Sequence, residues 1–199
     1  MSDTATRTCG ILLIGGAVLL AISIFMISTK PVVNRSFSPT ESLLTFLGGL
    51  LLIVSLPAMY SVQSAASRLP GLIGYVTLQV GMLFLVAIAA PRLLISSFNE
   101  PIGESLTAFI LGIALFIGLL VTGIAVLQAG VFPRATGILI LAATAGFFFV
   151  FFVAEFLPAL AGQVGSAIFA LLLGLAFAWI GFSMASGALA GGLTTRQTV

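Results

Sequence analysis

Long apolar runs separated by short polar interruptions set the pattern of this chain from one end to the other. Six of the runs are long enough to cross a hydrocarbon core, which takes about 20 apolar residues rising 1.5 Å each. They cover residues 10–27, 43–60, 72–90, 106–127, 137–156 and 164–184. None shows the strict alternation of a barrel strand, and an open sheet would leave peptide groups unpaired in lipid. The pattern therefore predicts an all-α integral membrane bundle of six transmembrane helices, a single domain over residues 1–199 ending in a polar tail, 191–199. The first run follows Arg7 and could be read as a signal peptide. Its length, and its likeness to a later span, lead us to expect a retained helix instead.

The polar positions repeat. Shifting the chain by 63 residues lays Glu41, Ser42, Leu43, Phe46 and Gly49 on Glu104, Ser105, Leu106, Phe109 and Gly112. The same register lays Pro70, Gly74 and Leu78 on Pro133, Gly137 and Leu141. Arg7 and Gly10 match Arg134 and Gly137, and Leu173, Gly174 and Ala176 match Leu111, Gly112 and Ala114. Matches of Leu and Phe are cheap between membrane helices, so the Glu, Ser, Pro and Gly matches carry the inference. Three tandem helical hairpins are expected, at 7–67, 68–130 and 131–190. Two spans per unit make them parallel repeats about an axis along the membrane normal.

Composition narrows the chemistry. The chain is 60% hydrophobic and 6% charged, far from the quarter charged residues of a soluble domain. Its seven Lys and Arg and five Asp and Glu leave a net charge of +2, too dispersed along the sequence for a basic patch that would take nucleic acid or anionic lipid. One cysteine, Cys9, excludes an internal disulfide, and the lack of histidine removes the commonest general base and zinc ligand. No cofactor, metal or catalytic constellation is expected. Arg7, Arg68, Arg134 and Arg196 fall on one side of the predicted topology, and Lys30, Arg35 and Arg92 on the other. By the positive-inside rule both termini are cytoplasmic.

A few residues stand out as a candidate polar or ligand site. Glu41 and Glu104 each open a predicted helix, where exposed amides stabilise a carboxylate. The alternative adds Glu155 and makes the three an acidic ring around a pseudo-threefold mouth. Arg92 and Glu155 lie the same 18 residues beyond Gly74 and Gly137, so the two are expected at one depth and close enough to pair. Gln79, midway along the third span, is read as a helix-to-helix hydrogen bonder, with ligand lining as the alternative. The phenylalanine run beginning at Phe147 is read as lipid or core packing, with a hydrophobic-ligand pocket as the sharper possibility. Gly112, Gly118, Gly174 and Ala178 allow close helix approach.

The stretch from Gly130 through Phe132, Pro133, Arg134 and Gly137 to Leu141 resembles a recurring helix start in small polytopic bacterial membrane proteins of unknown function. That resemblance implies a bacterial inner-membrane protein and transfers no activity. The expected function is a non-enzymatic structural or accessory subunit, or a binder of lipid-like hydrophobic molecules; the alternatives are a small transporter or channel and, last, an intramembrane enzyme. Expected partners are membrane lipids, other membrane proteins or a second copy of the chain, and not nucleic acid.

Overall fold

The computed structural model describes residues 3–30, 37–94, 106–150 and 159–186. These residues form α1 (Asp3–Ser28), α2 (Pro39–Leu94), α3 (Leu106–Ala129), α4 (Arg134–Phe148) and α5 (Ala159–Ala185). Four of the five, α1, α2, α3 and α5, are long and apolar enough to cross a membrane. The 15 residues of α4 span about 22 Å, short of a core about 30 Å thick. A π-helical turn continues it through Phe149 and Val150, and the remainder of the fifth predicted span, 151–156, lies outside the described residues.

The second and third predicted spans both fall within α2, which is 56 residues long. Straight, it would measure about 84 Å, far more than a bilayer. Instead it breaks at Arg68 (φ 45°, ψ −129°), and its two limbs, 39–67 and 69–94, fold back antiparallel. Tyr60 stacks on Tyr75 with ring centroids 5.0 Å apart, and further along Gly49 lies against Val86. Pro70 sits in the first turn of the second limb, where a missing N–H takes nothing from the helix.

Each helix packs on its neighbours in sequence, and α5 closes on α1. The α2–α3 seam shows the sense of packing: Gly74 faces Thr122, Leu78 faces Gly118 and Gly81 faces Leu115, one number rising as the other falls. Gly16 against Gly48 joins α1 to the first limb of α2, and Gly137 against Leu127 joins α4 to α3. Phe147 meets Phe169 across α4 and α5 with ring centroids 5.3 Å apart. Closure is tightest between α5 and α1, where a methyl group on Gly10 would stand 2.6 Å from the Gly181 carbonyl oxygen. Lipid tails are as apolar as the helices, so packing of this kind, backbone against backbone through small residues, is what holds such a ring together.

The side chains complete that picture. One apolar cluster, with Leu13, Leu52, Leu78, Leu119, Ile140 and Phe177 among its members, draws on all five helices. Outside, large apolar residues are exposed on each of them, such as Ile11, Val54, Phe109, Ile138 and Leu171. Helices apolar on every side belong in a bilayer.

Candidate functional site

The end of the ring that carries the α1–α2 connection gathers the most polar chemistry. α2 begins Ser38-Pro39-Thr40-Glu41, a capping-box sequence with proline at the first helical position. The box forms in full: the Ser38 N–H donates to Glu41 Oε2 at 2.7 Å, and the Glu41 N–H donates to Ser38 Oγ at 3.3 Å. Glu41 is 2% exposed, and Lys30, beyond the end of α1, donates from Nζ to the same Oε2. The Ser23 hydroxyl donates to the Glu41 main-chain carbonyl at 3.0 Å and lies 2.7 Å from the Thr45 hydroxyl. Glu41 thus ties α1, the connection and the start of α2 together, a structural use of its helix-opening position.

Arg92 reaches the same end from the second limb of α2. It is 9% exposed, its Nη1 donates to the Ile88 carbonyl at 2.6 Å, and its guanidinium lies 5.4 Å from the centroid of the Phe37 ring. That contact is within cation–π range, and Phe37 stands four residues before Glu41. Gln163 in the first turns of α5 donates to the Lys30 carbonyl at 3.5 Å. Glu104 and Glu155 lie outside the described residues, and with them the acidic ring and the Arg92–Glu155 pair.

Gln79 stands apart from this end, and its role follows from a proline. Pro57 has no N–H, so the Ile53 carbonyl lacks the donor that the helix would supply from position 57, and the proline ring crowds that carbonyl as well. Gln79 Nε2 donates to it from the other limb at 3.0 Å. The side chain therefore repairs a hydrogen bond that the proline removes, as helix-to-helix bonding requires.

A groove of about 350 Å³ opens on the flank between α4 and α5, lined by Gly146, Phe149, Val164, Gly165 and Ile168. Its glycines sit at close contacts, since a methyl group on Gly165 would stand 3.0 Å from the Phe149 ring and one on Gly146 3.4 Å from Phe169, and the π-helical turn carries Phe149 into its wall. Val164 and Ile168 on its rim are each 51% exposed. Of the phenylalanine run, Phe147 is buried and Phe148 exposed.

Sequence reasoning overlooked Lys30, Ser38, Pro57 and Gln163. The Ser-x-x-Glu spacing signals the capping box, and a proline inside a span signals a carbonyl in need of a donor. Nothing in the sequence signals Gln163. Gln63, 1% exposed, was overlooked too; its Oε1 and the Ser42 and Thr122 hydroxyls are buried without a hydrogen-bond partner among the described residues.

No family model matches this chain, and neither a curated protein nor a solved structure does.

Proposed function

We propose that this chain is a non-enzymatic bundle crossing a bacterial inner membrane six times, built as three tandem hairpins with both termini cytoplasmic. Its function is to bind lipid-like hydrophobic molecules on its flank, as an accessory component of the membrane. The observation that carries this reading is the α4–α5 groove, a lateral opening lined by apolar side chains and glycine. Among the described lining residues no side chain offers a polar partner to a solute, whereas an acyl or isoprenoid chain leaves none of them unsatisfied. The fold-back of α2 at Arg68 supports counting it as two crossings. The glycines at the matched positions support the repeat, since Gly10, Gly74 and Gly137 all sit at close helix contacts. The interior supports a bundle over a pore, because buried Leu, Ile and Phe side chains from every helix fill it.

Native mass spectrometry from mild detergent tests the reading. A stoichiometric lipid-like adduct is expected, and Ile168→Trp, which fills the groove from its exposed rim, should deplete it. Flux of a polar solute through liposomes containing the purified chain would overturn the reading in favour of a transporter or channel.

A further inference from the structure

The fold gathers at one end of the ring cations that the sequence leaves too dispersed for an anionic-lipid patch, so the two ends present their charges differently. At the end formed by the Arg68 turn, the α3–α4 connection and the start of α1, Arg7, Arg68 and Arg134 are all exposed. Arg7 does contact Asp3 at 3.1 Å, but the two side chains are 54% and 69% exposed, and such a pair contributes little. At the opposite end the cations among the described residues are Lys30, held by Glu41, and Arg92, which is 9% exposed. The only tryptophan and both tyrosines of the chain follow the same division. Tyr60 lies seven residues before Ser67, Tyr75 six after Leu69 and Trp179 six before Ala185. At 1.5 Å per residue each stands roughly 9–11 Å from the same end, in one layer.

We propose that this end is a collar for anionic phospholipid headgroups, with Arg7, Arg68 and Arg134 meeting the phosphates and Tyr60, Tyr75 and Trp179 lying at the level of the glycerol backbone. The proposal rests on the membrane-spanning reading and adds a partner at a surface other than the groove. Tryptophan and tyrosine favour this depth because an apolar ring and a polar N–H or O–H are satisfied there together. The anionic leaflet attracts basic side chains within a Debye length of its surface. Arg68 adds a local argument. Its backbone has a positive φ, and the residue of positive φ in the α3–α4 connection is a glycine, Gly130 at φ +60°. The chain thus places a long cation at the tip of a turn where glycine would be unstrained.

Trp179, 44% exposed and the sole tryptophan, is a native reporter for this collar. Close packing of Gly181 on Gly10 brings the Arg7 turn of α1 to its end of α5. The protein is reconstituted in bilayers in which either phosphatidylglycerol or phosphatidylcholine carries bromine, near the headgroup or near the chain end. Shallow bromine should quench Trp179 more than deep bromine, and brominated phosphatidylglycerol should show about fivefold higher apparent affinity than brominated phosphatidylcholine. Raising salt should erode that preference without touching the fold, and Arg7→Gln/Arg68→Gln/Arg134→Gln should reduce it to near one. Quenching with no headgroup preference, or strongest from deep bromine, would overturn the collar and leave the membrane-spanning reading standing. No quenching from any lipid would overturn both.

Discussion

Replacing Gln79 by leucine removes the donor that reaches the Ile53 carbonyl across the α2 fold-back, and Pro57 ensures that the helix offers no N–H in its place. Hydrogen bonds between membrane helices contribute about 0.6 kcal/mol on average and up to about 1.7. Stranding a buried carbonyl costs about 1–3 kcal/mol. The loss is partly offset because the Gln79 Oε1, buried without a hydrogen-bond partner among the described residues, disappears with the amide. Gln79→Leu should therefore destabilise the protein by about 1–2 kcal/mol. In a Pro57→Ala background the restored N–H can bond the Ile53 carbonyl, and the same substitution should then cost less than about 0.5 kcal/mol. Unfolding in mixed micelles, followed through Trp179 fluorescence, gives all four corners of this double-mutant cycle. A coupling energy of about 1 kcal/mol is expected. Additive substitutions, or a Gln79→Leu protein as stable as the parent, would refute the reasoning.

Ring closure makes a contrast on a single helix. Gly10→Ala must move α1 and α5 apart by about 0.8 Å, from 2.6 Å to the 3.4 Å where ordinary contact begins, and should cost about 1–2 kcal/mol by melting temperature after the gain in helix propensity. Gly15→Ala meets only Leu51 Cδ1 at 3.5 Å and should be neutral or slightly stabilising in the same assay. Lys30→Met leaves the buried Glu41 carboxylate without its cation and should cost about 2 kcal/mol, more than Glu41→Gln; the double mutant should recover part of that loss on detergent melting. Arg68→Gly relieves a positive φ, and even after the greater unfolded-state freedom of glycine it should raise stability by about 1 kcal/mol, read as a higher unfolding midpoint.

The helices were legible because a bilayer imposes one coarse demand, about 20 apolar residues between polar breaks. The described part of every predicted span lies within a helix. The turn between 43–60 and 72–90 falls at Arg68, where the expected hairpins 7–67 and 68–130 meet, with Pro70 and Gly71 just beyond it; that a single non-helical residue makes the turn was not legible. Ring closure was illegible for a different reason. In a helix apolar on every side periodicity names no inner face, so nothing in the residues around Gly10 and Gly181 says that the two backbones meet. Glu41 was legible as a helix opener, but its ion pair with Lys30 spans a connection that no short-range pattern reads. Gln79 was legible as an interhelical donor and its acceptor was not, since finding it requires combining Pro57 with the fold-back of the chain.

Single-cysteine labelling from each face of sealed vesicles, in a Cys9→Ala background, tests the central claim of six crossings. Cysteines at Ala66, beside the Arg68 turn, and at Ala135, beside the α3–α4 connection, should react with an impermeant reagent from the cytoplasmic side. One at Thr40, beside the Glu41 network, should react from the opposite side alone. Labelling of positions 66 and 135 from opposite faces, or of all three from one face, would contradict the account.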